Sequence, residues 1–301
     1  GDGGDGKITF WRYGGDGTIP PENAEWHESF AELDYPITPD NVWYIPIQVI
    51  LYDLQYFVLF NKVGFLVGTN GIGDPLDTTV NMMGPPRLND GHDTTFIRKA
   101  VILKDRILIH SDKDVYWSDV NPTGVADDWS STAPHTAGYL GINREITHDK
   151  VHDIIVFQNE LYILGSTTVS KLSWSTDPNV DGELVVVSAH MGGQTFAVVN
   201  GDLFVFTGFG LYRLVTSYFT EVSGSVRDFV RDSCRGMPNA LATLNGADDW
   251  DERPVVGMYH LDNLLLIGPL NGDAAQRYDD VSDNNYACNV FLVFNVDTGA
   301  W

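Results

Sequence analysis

The chain has 301 residues, 43% of them apolar, with 30 Gly, 14 Pro and two Cys, and 41 Asp and Glu against 18 Lys and Arg give it a net charge of -23. So acidic a balance disfavours general attraction to nucleic-acid backbone or an anionic membrane, because binding phosphate takes a positive patch that displaces counterions. The length suffices for a large core, and the many turn residues suit short strands over long helices.

Residues 1–55 read as an N-terminal segment of loops and strands, either completing the main domain in part or extending from it. Asp2-Gly3-Gly4-Asp5-Gly6 and Gly14-Gly15-Asp16-Gly17 place carboxylates on flexible backbone, which suits calcium best among ions. Neither has the spacing of an EF-hand, so both read as linkers or loop tips and no metal ligand is assigned. The start at Gly1 without Met and the stop at Gly299-Ala300-Trp301 suggest a piece of a longer protein, so the lack of a leader means little. Val42 to Gly68 is the most apolar stretch. Pro46, Gln48, Asp53, Gln55 and Lys62 interrupt it at a cost in lipid, so it predicts consecutive buried strands without membrane insertion.

From Tyr56 onward the chain repeats one pattern: two short apolar runs around a polar turn, returning after roughly 40 to 60 residues, the period of radially repeated β folds. The copies are Tyr56 to Val67, Ala100 to Ile109, Ile154 to Leu164, Phe196 to Phe206 and Val255 to Ile267. Turns such as Asn200-Gly201 and Asp262-Asn263 predict tight hairpins. Aligned on Val101 and Ile155, Arg106 stands opposite Glu160 and Val115 opposite Val169. Both strands run on to Trp-Ser pairs, Trp117-Ser118-Asp119 and Trp174-Ser175-Thr176, read as one recurring strand exit. Gly210 to Val215 keeps the strand without that exit. Residues 56–301 thus predict an all-β domain, a β-propeller of about five to six blades built from antiparallel hairpins. A sandwich also uses short alternating strands but does not require the long-period echo. Helices are expected only at Ser225 to Arg235 and Pro238 to Leu244.

No catalytic, cofactor-binding or metal-binding residue is assigned. His148 and His152 form His-x-x-x-His, but in an extended segment residues four apart stand about 13 Å from each other, too far to share an ion. Cys234 and Cys288 lie outside any zinc spacing and read as free thiols, a disulfide between them depending on geometry. Gly-x-Ser-x-Gly is absent, and Ser223-Gly224-Ser225 shows no strand and helix around it. The acidic runs Ala247 to Glu252 and Asp279 to Asn284 read as solvated loops.

The order of these segments carries a resemblance. Ile97 to Trp129 runs strand, Lys104-Asp105-Arg106, strand, then Val115-Tyr116-Trp117-Ser118-Asp119 and Asn121-Pro122. Val151 to Ser175 repeats it around Asn159-Glu160-Leu161, Gly192 to Leu214 repeats it around Asn200-Gly201-Asp202, and Val290 to Trp301 ends in Phe294-Asn295 and Gly299-Ala300-Trp301. Over 96–301 the chain resembles the β-propeller tail proteins of short-tailed bacteriophages, of the nozzle or tail tubular protein B type, and related head-completion proteins that stabilise packaged DNA. Residues 1–55 carry no part of the likeness, and the further domains of a nozzle are not seen.

The resemblance implies a non-enzymatic virion protein without cofactor, in the tail or neck and assembled in the host cytoplasm. It implies a homo-oligomeric ring, hexameric in the nozzle type, joined to portal, adaptor or other tail proteins, with DNA passing through the lumen unbound. Acidic walls would then lower the friction of ejection. The alternative is a secreted or surface propeller that binds glycan or protein, with Trp26, Trp43, Trp129 and Trp250 exposed and clustered. A glycoside hydrolase, the third reading, calls for two carboxylates about 5 to 10 Å apart across a pocket.

Overall fold

A computed structural model describes residues 97–111, 113–122, 126–146, 149–189, 191, 193, 195–207, 210–234, 257–271 and 288–301. It also describes the strands at 7–13, 26–34, 46–52, 55–60, 64–69 and 82–83. What is described is nearly all antiparallel β-structure. Strands β1 (Lys7–Tyr13) and β2 (Trp26–Asp34) pair alone. Then come β3 (Pro46–Tyr52), β4 (Gln55–Phe60), β5 (Gly64–Thr69) and the short β6 (Met82–Met83), a meander in which each strand pairs with the one before. The second sheet holds β7 (Lys99–Leu103), β8 (Arg106–His110), β9 (Asp114–Trp117) and β10 (Gly138–Gly141). The third holds β11 (Val151–Phe157), β12 (Glu160–Gly165), β13 (Thr168–Ser173) and β14 (Glu183–Ala189). The fourth holds β15 (Thr195–Val199), β16 (Asp202–Thr207), β17 (Gly210–Val215) and β18 (Tyr218–Glu221). The last has three strands, β19 (Gly257–Leu261), β20 (Leu264–Asn271) and β21 (Cys288–Asn295).

Four of the five repeated apolar pairs seen in the sequence are the first hairpins of their sheets; Tyr56 to Val67 instead spans β4 and β5, the second hairpin of its sheet, whose first is β3–β4. Those four share a two-residue turn, and the backbone shows why the residues in it suit it. Lys104 and Asp105 (φ 50° and 57°), Gln158 and Asn159 (51° and 61°), and Asn200 and Gly201 (51° and 81°) put both central positions in the left-handed region. That is the type I′ turn, whose twist matches the flanking strands. The stretch Val42 to Gly68 yields β3, β4 and β5 of one sheet, and the boundary expected after residue 55 falls within the β3–β4 hairpin.

The Trp-Ser exit expected to recur does not recur in the structure. Trp117 closes β9, whereas Trp174 is the first residue beyond β13, and Val115 precedes its Trp by two residues while Val169 precedes its own by five. The two Trp-Ser pairs are therefore not one structural position. The expected helix appears as α3, after the single turns α1 (Ile142–Glu145) and α2 (Pro178–Asp181); α3 spans Arg227–Cys234. Pro238 to Leu244 lies outside the described residues. Among the described residues no helix is long and apolar enough to cross a membrane.

The chain divides into two compact units, one of residues 1–100, 105–111 and 116–138, the other of 101–104, 112–115 and 139–301. In the first, Ile50, Phe57 and Leu59 are buried, as are Ile107, Ile109, Tyr116, Trp117 and Trp129. The Gln48 side-chain amide accepts from the Ala100 N–H at 2.8 Å and donates to its carbonyl at 3.0 Å, stitching β3 to β7. In the second unit β11, β15 and β19 run as neighbours, so successive sheets stack face to face. One core joins Phe157, Tyr162, Leu164 and Val169 to Phe196, Leu203 and Val205; another joins Ala197, Val199, Phe204 and Phe206 to Leu265, Ile267 and Phe294. Strand β16 thus sends alternate residues into two cores. That is why its sequence is continuously apolar where a half-exposed strand would alternate. Val230 of α3 plugs the second core, and Trp301 closes it, packing on Phe294 at 4.8 Å between ring centroids and donating Nε1–H to the Val222 carbonyl at 3.0 Å.

Candidate functional site

In the first unit the segment after β9 builds a polar cluster on a buried arginine. Arg106, at the start of β8, donates through Nη1 to the carbonyls of Ser118 (2.7 Å) and Thr136 (3.1 Å) and through Nη2 to Thr136 Oγ1 (2.9 Å). Thr136 Oγ1 and N–H in turn donate to Asp119 Oδ1 at 2.6 and 3.2 Å, and His135 Nδ1 meets Asp119 Oδ2 at 2.9 Å. Burial pushes the Asp119 carboxyl up, but the hydrogen bonds from Thr136, His135 and the Val120 N–H outweigh it and hold the group below its ordinary value. Ser118, Asp119 and His135 are the residue types of a hydrolytic triad. Their geometry is different: Ser118 Oγ accepts from the Ile107 N–H at 2.9 Å and donates to the Asp119 carbonyl at 2.8 Å, so its bonds go to backbone. What the cluster does is tie Ser118, Asp119, His135 and Thr136 to β8.

The turn end of the second unit carries two hollows. One, of about 410 Å³, is lined by Lys104, Glu160, Trp174, Asp181 and Glu183 among others; a smaller one, of about 200 Å³, lies between Gln158, Asp202, Arg213 and Thr216. Lys104 Nζ lies 4.8 Å from the Trp174 ring centroid, a cation–π contact, and also donates to the Trp174 carbonyl. Glu160 pairs with Lys171 at 2.9 Å and Asp202 with Arg213 at 2.7 Å. These are one position in two sheets, the first residue of the second strand reaching diagonally to the third. The Glu160 partner raises the Lys171 pKa. Asp181 accepts from the N–H groups of Ser175, Thr176 and Asp177 and from Thr176 Oγ1, binding up the strand exit. Glu160 and Asp181 are thus directed at partners within the protein.

Ser223-Gly224-Ser225 departs from the sequence expectation, since β18 precedes it and α3 follows. Ser223 is sealed: its Oγ accepts from the Leu211 N–H at 3.0 Å and donates to Glu221 Oε1 at 3.1 Å, while Arg227 Nε bonds Glu221 at 2.7 Å. The arginine, acting against burial and helped by Ser223, holds the Glu221 carboxyl below its ordinary value.

Other sequence candidates fall as follows. His152 lies in β11 with Nε2 2.8 Å from Ser166 Oγ, and His148 lies outside the described residues. Cys234 ends α3 and Cys288 begins β21. Trp129 is buried, contrary to the exposure a glycan-stacking surface requires, because the 3-10 turn Ala126–Trp129 folds it inward. Trp26 belongs to β2; Trp43, Trp250, the Gly-Asp stretches at 2–6 and 14–17, and the acidic runs at 247–252 and 279–284 lie outside the described residues. Among the described residues no group of three or more His, Cys, Asp or Glu stands close enough to hold a metal ion. The residues that sequence reasoning missed are Arg106 and His135. Arg106 carried a signal, a cation at the position where the β11–β12 and β15–β16 hairpins have Glu160 and Asp202.

No protein-family model matches the chain, and no curated protein matches its sequence. Among solved structures it is similar to the AfRom2 CNH domain, at 7% identity and a TM-score of 0.47, over 85% of this chain and 69% of that one. It is also similar to extracellular domains assigned to a one component system and a hybrid two component system of B. thetaiotaomicron. Identities there are 11% and 12%, TM-scores 0.29 and 0.30, over 73% and 72% of this chain. The chain spans about a third of the length of those two, 33% and 32%. Likenesses this low carry no argument about activity.

Proposed function

We propose that the chain is a β-propeller subunit of a virion, a structural protein of a phage tail or head–tail connector that takes part in a ring around the DNA exit channel. The observation that supports the propeller is the stacking of β11, β15 and β19 as neighbours, with β16 buried on both faces between two cores. Radially repeated blades are built this way, and the five meanders from β3 to β21 fit about five blades. The protein acts as a wall and a joint, with no reaction to catalyse and no cofactor to hold. A net charge of -23 suits a conduit that repels the DNA sliding past it, and it leaves the lumen free of specific nucleic-acid contacts. Ring neighbours and the portal or adaptor are its partners.

Glycan binding requires exposed tryptophan, and the buried Trp129 removes one of the four residues that reading relied on. Averaged electron-microscope images of the purified chain test the proposal. A ring with an open, acidic channel supports it, and a channel lined by basic or apolar side chains contradicts it.

A further inference from the structure

The first hairpin of the third sheet has one residue too many on one side. Val151 pairs with Gly165 and Asp153 with Leu164, so His152 is the extra residue of a β-bulge in β11. A bulge re-aims the side chain it displaces. Here the imidazole is aimed at the β12–β13 turn, where His152 Nε2 lies 2.8 Å from Oγ of Ser166, the residue after the end of β12. Both residues belong to the second compact unit.

That turn is held in place by a buried carboxylate of the same unit. Asp149 accepts from the N–H groups of Lys150 and Thr167, each at 3.0 Å, and from Thr168 Oγ1. Ser166 gives its own N–H to the Lys150 carbonyl at 3.0 Å. A Cβ at Gly165 would stand 2.2 Å from the Asp149 carboxylate, so glycine is what lets the end of β12 lie against that group. A hydroxyl on a pinned turn and an imidazole on a strand are positioned for each other before any reagent arrives.

We propose that Ser166 is a covalent modification site, its hydroxyl activated by His152 to accept an acyl group from an activated ester or thioester. With the imidazole neutral and its proton on Nδ1, Nε2 takes the hydroxyl proton as Ser166 Oγ attacks the carbonyl carbon of the donor. A C–O bond forms, the bond to the alcohol or thiol breaks, and the proton passes from Nε2 to that leaving group. The products are acyl-Ser166, the free alcohol or thiol, and neutral His152. Ser118 and Ser223 are bound differently: each hydroxyl accepts from a backbone N–H, that of Ile107 and that of Leu211. The N–H groups that flank the nucleophile, those of Ser166 and Thr167, are already given to the Lys150 carbonyl and to Asp149. Each oxyanion donor missing from such a site costs roughly 10²- to 10³-fold in rate. Ser166 is therefore an acceptor that fills once rather than a centre of turnover, and the role is independent of any ring.

The test incubates the full chain with p-nitrophenyl acetate in mildly alkaline buffer, where an ordinary imidazole is neutral, and locates acetyl groups by peptide mass spectrometry. Ser166 is expected to gain one acetyl group faster than Ser225, a serine of the turn before α3, and to keep it after the reagent is removed. His152→Gln keeps a hydrogen bond to the hydroxyl but takes no proton. It is expected to slow the labelling of Ser166 about 10²-fold, the low end of what a positioned base supplies. Ser166→Ala is expected to remove the label with the β-structure intact by far-ultraviolet circular dichroism. Labelling of Ser166 no faster than Ser225, equal labelling in His152→Gln, or acetyl found on lysines alone overturns the inference. Continuous release of p-nitrophenolate that vanishes in Ser166→Ala contradicts the single filling. An alkyl fluorophosphonate, which reacts with activated serines and spares amines, gives the second readout. It is expected to label Ser166 in the wild type and not in His152→Gln; equal labelling of the two, or none of either, overturns the site.

Discussion

The carboxylate of Asp153 accepts the backbone N–H of Phe196 at 2.8 Å, and in doing so it repeats what Gln48 does to Ala100. Both residues stand four positions before the end of the first strand of their sheets, both at a register shift with the second strand, between Pro46 and Gln48 and between Val151 and Asp153. Both reach a backbone N–H three positions before the end of the next sheet's first strand. The bulge turns a polar side chain sideways, out of its own ladder, and the neighbouring strand supplies the bond that pays for its burial. Thr195 Oγ1 adds a second donor to Asp153 at 3.0 Å.

Removing this clamp leaves a buried N–H without its acceptor, which costs about 1 to 3 kcal/mol. Asp153→Ala is expected to lower the unfolding free energy by that amount, and Asp153→Asn, which keeps an acceptor oxygen, by less. Urea unfolding followed by tryptophan fluorescence measures both. Equal losses for Ala and Asn would show that the acceptor is not what matters.

A methyl group at Gly210 would sit 2.3 Å from Ser223 Oγ, the atom that holds the Leu211 N–H and Glu221. Gly210→Ala is therefore expected to destabilise the fourth sheet by about 1 to 3 kcal/mol, the usual range for overpacking. Pairing it with Ser223→Ala, which clears the space, recovers part of the loss; a double variant no better than the single one would contradict the steric cause.

Asp105 holds φ at 57° without being glycine. Its backbone carbonyl accepts from the Asn121 N–H at 2.7 Å, a bond that glycine would keep. Asp105→Gly is thus expected to relieve left-handed strain and raise stability by up to about 1 kcal/mol, read as a higher thermal midpoint. A lower midpoint would mean that the Asp side chain contributes more than the strain removes.

Acid should loosen the loop around Asp119. Its folded pKa lies below the unfolded value, so the stabilisation is fully present above the unfolded carboxylate pKa of about 4 and is lost as pH falls through the lower folded value. Glu221, held low by Arg227, contributes with the same sign at α3. Near-ultraviolet circular dichroism of Trp117 and Trp129 follows the first event, and Asp119→Asn is expected to flatten its acid limb. An unchanged acid limb in that variant would remove Asp119 as the cause.

The hairpins were legible because their signal is local: two apolar runs and a two-residue turn such as Asn200-Gly201 define a pairing whatever the rest of the chain does. The stacking of sheets was legible only indirectly, in strands such as β16 that are apolar at every position after Asp202 until Thr207. The clamps were not. Gln48 reads in the sequence as a polar interruption of an apolar stretch, and its partner Ala100 lies 52 residues away. Trp129 read as a loop aromatic because its neighbours Asp127 and Asp128 are polar, yet a single 3-10 turn suffices to bury it. The Trp-Ser pairs misled for a related reason: identical words end one strand at Trp117 and follow another at Trp174.

A ring around an exit channel requires assembly, and the mass of the native particle tests for it most directly. Native mass spectrometry of the unmodified chain is expected to show a closed homo-oligomer of about six copies with no ladder of open intermediates at micromolar concentration. A single species of one chain, unchanged as concentration rises, would contradict the ring.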